Sequence, residues 1–197
     1  MQTPRTINPT TLIQLSGGID STFVLWNWLK NHPEEYCIVH HIVLTNREGR
    51  RVHEQTAVQK ILAYLDSVGL CNYIYLENSV DYGTIGLTIK DVELCGFFAG
   101  MIIRSRRWSS LQEILLPIYK SETGRESVRR ELINLIGRKS DFKITYPFAE
   151  MTKTDVIERL PTELFDLCWY CRKPVRGIVC GICPTCVEVK DCLKQLL

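Results

Sequence analysis

The stretch LIQLSGGIDSTFVLWNWLK, Leu12 to Lys30, begins as an apolar run, breaks at two glycines, and resumes as an amphipathic pattern. Thr10 to Leu15 is short and β-rich, and Phe23, Trp26 and Leu29 then recur at helical spacing across Ile19–Asn31, so the segment reads strand, turn, helix. Unpaired backbone N–H groups and the positive end of the helix dipole converge in such a turn, which makes an anion its natural occupant. Gly17 and Gly18 let the backbone approach a phosphate with no Cβ in the way, and Ser16 and Ser21 offer hydroxyls. Asp20 would repel a bare phosphate; it suits a Mg2+ ion lying between them, or a helix cap. The candidate phosphate-binding residues are therefore Ser16, Gly17, Gly18, Ile19, Asp20 and Ser21. Their spacing is neither that of a Walker loop, which ends in Gly-Lys-Ser/Thr, nor G-x-G-x-x-G.

The same alternation continues along the chain. Tyr36–Leu44 is strongly β-branched, Val52–Val68 carries an apolar helical face, and Asn72–Leu76 reads as a third strand. Asp91–Arg106 reads as a buried helix with close backbone approach at Gly96 and Gly100, and Glu113–Leu116 as a fourth strand. Ser127–Ile136 is helical, Phe142–Thr145 a fifth strand, and Thr152–Leu160 a short helix. Repeated βα units imply an α/β fold, a Rossmann-like parallel sheet with helices on both faces, where ligands bind beyond the carboxyl ends of the strands.

The chain has 197 residues, 45% of them hydrophobic, enough for one substantial core. Its 24 basic and 22 acidic residues, net +2, are too evenly balanced for capture of nucleic acid by the whole surface. Arg104, Arg106 and Arg107 read as a solvated helix end. No apolar run approaches the ~20 residues of a membrane span, and MQTPRTINPTT lacks the layout of a signal peptide, so a soluble, cytoplasmic protein with no membrane partner is expected.

Of nine cysteines, Cys37, Cys71 and Cys95 are scattered, whereas Cys168, Cys171, Cys180, Cys183, Cys186 and Cys192 crowd the C-terminus. In a reducing compartment such crowding points to metal rather than disulfides. Cys171, Cys180, Cys183 and Cys186 form C-x8-C-x2-C-x2-C, which suits tetrahedral Zn2+; an iron–sulfur cluster is the alternative that spacing leaves open. Cys168 is a rival ligand, and Cys192 falls in an amphipathic terminal helix as a core residue. The composition shift places a boundary near Leu160, giving a phosphate-binding α/β domain over 1–160 and a metal-binding segment packed on it over 161–197.

Ser16–Ser21 matches the S-G-G-x-D-S signature of the PP-loop ATP pyrophosphatases, a family with the adenine nucleotide alpha hydrolase-like fold. With the cysteine pattern, the preceding LCWYCRKP and the stretch YPFAEMTKTDVIERLP, the chain resembles the 7-cyano-7-deazaguanine synthases within that family. The resemblance implies ATP, Mg2+ and structural Zn2+ as cofactors, a loop gripping the β- and γ-phosphates, and Asp20 and Lys153 as catalytic residues, Lys153 reaching the phosphates. A lysine in the first turn of a short helix is also simply a solvated side chain. By the same resemblance the substrates are a deazapurine carboxylate and ammonia, the product a nitrile, and the assembly a homodimer. Two alternatives stay open: transfer of the activated deazapurine to another amine, of a protein or a nucleic acid, and tRNA modification.

The chain departs from that family after the second strand. TNREGRRVHEQTA keeps Gly49, Arg51 and His53 but lacks the family's aromatic; His53 suits phosphate contact, capping or packing. In IKDVELCGFFAGMIIRS and YKSETGRESVRREL, where the purine would be read, Asp91 and Glu93 are candidates for a guanine-like edge, and Arg125 or Arg129 for a carboxylate.

Overall fold

The computed structural model describes residues 7–46, 48–83, 91–119 and 126–197. Arg125 therefore lies outside the described residues. Five strands, β1 (Thr11–Gln14), β2 (Cys37–Thr45), β3 (Tyr73–Asp81), β4 (Glu113–Leu115) and β5 (Lys143–Thr145), form one sheet in the order β3-β2-β1-β4-β5. Every pairing is parallel. The helices are α1 (Ile19–Asn31), α2 (Arg51–Ser67), α3 (Asp91–Arg104), α4 (Glu126–Gly137), α5 (Lys153–Arg159), α6 (Thr162–Leu167) and α7 (Pro184–Gln195).

Strand alternation divides the interior into two layers. Ile13, Leu15, Val39 and Leu115 face one way, against Phe23 and Trp28 of α1, Val58 and Ile61 of α2, Val156 of α5, Leu164 of α6 and Val189 of α7. Leu12, Ile38 and Ile114 face the other, against Ala99 and Ile103 of α3 and Ile133 of α4. The expected α/β sheet with helices on both faces is thus present, and the C-terminal helix contributes to the same core as the first strand. Cys192 is buried there, as expected.

Helices α3 and α4 meet through glycine. A Cβ on Gly100 would stand 2.7 Å from Ile136 Cβ, and one on Gly96 would stand 3.0 Å from Leu132 Cβ, so the close approach read from the sequence is real. β3 runs further than expected, pairing with β2 through Asp81. Its second half, ENSVD, is polar because an edge strand has a partner on one side only and needs little apolar surface. Among the described residues no helix is long and apolar enough to cross a membrane.

Two histidines lie inside β2. His40 Nε2 is 3.0 Å from Asn78 Oδ1, and His41 Nδ1 is 2.8 Å from the Leu15 carbonyl. Burial pushes the His40 imidazole down from 6.5 to about 4 and depresses His41 as well. Between those pH values the unfolded chain binds the proton that native His40 refuses, so stability is lost as pH falls. Urea unfolding should show a loss of about 2 kcal/mol from His40 between pH 7 and pH 5, with His41 adding in the same direction. His40→Gln should remove the His40 part; an unaltered slope in that variant would contradict the assignment.

Candidate active site and metal centre

The turn between β1 and α1 lies at the carboxyl edge of the sheet, beside the central strands. Gly17 takes φ +80°, a conformation costly to any residue with a Cβ. It is also enclosed: a Cβ there would stand 2.9 Å from the Glu54 carbonyl oxygen of α2 and 3.1 Å from Ala57 Cβ. Gly18 precedes α1 in extended conformation, and no side chain caps the helix. The first-turn N–H groups, those of Ile19, Asp20 and Ser21, therefore have no intrahelical acceptor.

The loop's hydroxyls form a closed set. The Ser16 N–H donates to Ser21 Oγ at 3.1 Å, the two serine hydroxyls lie 3.0 Å apart, and the Gly18 N–H reaches Ser16 Oγ at 3.3 Å. Thr22 Oγ1 donates to the Gly18 carbonyl at 2.8 Å. All six loop residues singled out in the sequence are thus brought into one uncapped helix start suited to an anion.

Lys153 comes to this loop from the other end of the chain. A capping box between Thr152 and Asp155 fixes the start of α5 at Lys153. The ammonium then reaches both Asp20 oxygens, at 2.5 and 2.6 Å. Asp20 also accepts a hydrogen bond from the Tyr119 hydroxyl, and the lysine nitrogen lies 5.7 Å from the Tyr119 ring centre. Lys153 is almost covered, its side chain 11% exposed against 31% for Asp20. The two residues chosen as catalytic therefore form one ion pair, with the carboxylate the more accessible partner.

Tyr119 has no motif of its own. Its signal is position: it follows β4 at the carboxyl edge, where α/β proteins place ligand-binding groups.

A charged network flanks the loop. Arg50, buried at the start of α2, pairs with Glu48, Glu54 and Asp91, each at 2.5 Å. Burial works against its charge, but Glu54 and Asp91 outweigh it and hold the guanidinium above its usual range. Asp91 also takes Arg172 of the C-terminal segment at 2.8 Å. Asp91, a candidate for reading a base, is thus engaged by two arginines. His53 packs rather than caps, its ring stacked on Trp169 with centres 4.2 Å apart. Arg104, Arg106 and Arg107 are exposed, as a solvated helix end should be.

In the tail, one Sγ from each of Cys171, Cys180, Cys183 and Cys186 lies within 4.8 Å of the others. Zn–S bonds of ~2.3 Å at tetrahedral angles place sulfurs ~3.8 Å apart. The Cys183–Cys186 and Cys180–Cys186 sulfurs are 3.3 and 3.9 Å apart, a convergence that suits the ligands of one metal centre. Backbone N–H groups already point at sulfur: Cys180 N–H to Cys171 Sγ and Cys183 N–H to Cys180 Sγ, both at 3.3 Å. Burial opposes ionisation of Cys183, but backbone donors from Arg172 and Cys186 overcome it and bring that thiol down to about 6. Burial and the neighbouring Cys183 push Cys186 up to about 12, and a bound cation would favour its thiolate. Cys168 is not part of the set; its thiol is buried beneath α6 and donates to the Leu164 carbonyl at 3.2 Å.

No protein-family model matches this sequence, and no curated protein matches it. In fold, the chain is similar to the U34-tRNA thiolase NcsA from Methanococcus maripaludis, solved with its [4Fe-4S] cluster. The TM-score is 0.50 at 12% identity, over 96% of this chain and 66% of that one, so the chain spans just under two thirds of the thiolase's length. At that identity the likeness is one of fold.

Metal analysis of the purified protein should give about one ion per chain. Cys183→Ser should release it and lower the thermal midpoint, because the ion contributes folding energy to a segment with few apolar residues of its own. Full metal content in that variant would contradict the four-cysteine site.

Proposed function

We propose that this chain is an ATP-dependent enzyme of the PP-loop pyrophosphatase type, which activates a carboxylate by adenylation and releases pyrophosphate. The observation that carries the reading is the Ser16–Ser21 turn itself: an uncapped helix start at the carboxyl edge of a parallel sheet, with Lys153 delivered to it. The loop amides and hydroxyls hold the β- and γ-phosphates. Asp20 would hold Mg2+ when nucleotide is bound, and Lys153, now paired with that carboxylate, would be free to contact the phosphates. A substrate carboxylate oxygen attacks the α-phosphorus, the α–β bridge breaks, and pyrophosphate leaves from the loop. The protein mainly positions the reactants and stabilises charge.

On sequence resemblance the acid is 7-carboxy-7-deazaguanine and the nucleophile ammonia. Ammonia displaces AMP from the acyl adenylate with loss of a proton, giving the amide. The amide oxygen then attacks the α-phosphorus of a second ATP, releasing a second pyrophosphate, and loss of AMP and the two amide protons leaves the nitrile. The four cysteines hold Zn2+ in a structural role, consistent with sulfurs spaced for one ion, and the working assembly is a homodimer in the cytoplasm. In the variant reading of the same activation, a protein or nucleic-acid amine takes ammonia's place. A second reading, modification of tRNA, is favoured by the fold likeness to a tRNA thiolase; it predicts an iron–sulfur cluster on the same cysteines and a need for tRNA.

Mass spectrometry of a reaction with ATP·Mg, 7-carboxy-7-deazaguanine and ammonium should show AMP and the nitrile. Asp20→Ala should reduce pyrophosphate release to background with the fold intact. Full activity in Asp20→Ala would overturn the loop assignment. AMP formed only on addition of tRNA would replace the deazapurine reading with the second one.

A further inference from the structure

The phosphate loop is held from below by the metal-binding segment. The Trp169 N–H donates to the Gly17 carbonyl at 2.8 Å. That peptide unit is planar and trans, so pinning its oxygen turns the Gly18 N–H the opposite way, toward Ser16 Oγ and the mouth of the loop. A flip of this one peptide would withdraw an amide from the anion site while leaving every side chain in place. Glycine on both sides makes such a flip sterically easy, so an outside contact must prevent it.

Trp169 is itself fixed from two directions. Its ring stacks on His53 in the first turn of α2, at an interplanar angle of 14°, and its Nε1 donates to the Cys171 carbonyl at 2.9 Å. Cys171 is the first ligand of the four-cysteine set, and the ring packs on that set. A second strut runs parallel to the first: Arg172 reaches Asp91, which Arg50 ties back to the same turn of α2. Gly17 thus lies between α2 on one side and the metal knuckle on the other.

We propose that Trp169 is the positioning residue of the phosphate loop, and that it transmits the folded state of the four-cysteine site to nucleotide affinity. The nucleotide part rests on the ATP reading above. Trp169 acts through the Gly17–Gly18 peptide, by its backbone N–H on the Gly17 carbonyl. Metal bound at the cysteines fixes the Cys171 backbone, the ring holds its place on His53, and the Gly18 N–H stays presented.

Isothermal titration of the full-length, metal-loaded protein with ATP·Mg tests this, alongside hydrogen exchange at the amides of residues 17–21. Trp169→Ala keeps the backbone N–H but removes the ring and the Nε1 bond that hold it in place, and the loosened Gly17–Gly18 peptide predicts a rise in Kd of about threefold to tenfold, with metal content unchanged and faster exchange in the loop. Trp169→Phe, which keeps a ring on His53 but loses the Nε1 bond to Cys171, should recover only part of the affinity, a graded rescue that general destabilisation would not give. Unchanged Kd and exchange in Trp169→Ala would overturn the proposal. Should that variant fail to fold, His53→Ala removes the other half of the stack and is judged by the same criteria. If the wild type binds no ATP·Mg, the ATP reading fails, and the exchange rates alone decide the positioning role: faster in Trp169→Ala upholds it, unchanged overturns it.

Discussion

The positive φ of Gly17, packed against the α2 backbone, is the constraint from which the rest of the site follows. Only a residue without a Cβ lets β1 turn out of the sheet there while the first turn of α2 closes to 2.9 Å from the virtual Cβ position. That turn directs α1 across one face of the sheet and leaves its N-terminus uncapped at the carboxyl edge. The same close approach brings Arg50, His53 and Glu54 beside the loop, so the charged network and the Trp169 stack have something to attach to. A side chain at Gly17 would therefore disturb the fold's second unit and the anion site together.

Much of this was legible in the sequence because period and turn chemistry are local. Apolar runs and turn residues marked β1, β2, β4, β5 and α1 to α5 to within a few residues, while α6 went unread, and the glycines of α3 pointed to the close backbone approach that α4 makes. The cysteine spacing anticipated the four sulfurs that converge. What failed to show was length without apolar pattern, as in the polar second half of β3, whose existence depends on its neighbour rather than on its own residues.

The candidate site was legible in its loop and not in its supports. Ser16 to Ser21 are contiguous, so a motif can expose them; Lys153 and Asp20 are 133 positions apart, and their pairing follows from the sheet order. Tyr119, Arg50 and Trp169 belong to no spacing rule at all. Trp169 was visible as an aromatic beside a cysteine, but its hold on Gly17 passes through a backbone N–H, which carries no residue signature. His53 shows the converse. A histidine near basic residues invites a phosphate role, and its neighbour across the fold makes it a stacking surface.

The Ser16–Ser21 loop, the Asp20–Lys153 pair and the four-cysteine segment lie together, and the proposed function turns on which bond of ATP is cut. On that proposal a helix start gripping the two terminal phosphates would leave the α-phosphorus open to attack, whereas a kinase-like site would expose the γ-phosphorus. Phosphorus NMR of ATP·Mg turned over by the protein with its acid substrate measures this directly. AMP and pyrophosphate in equal amounts are the predicted products; ADP and inorganic phosphate would contradict the assignment of the loop.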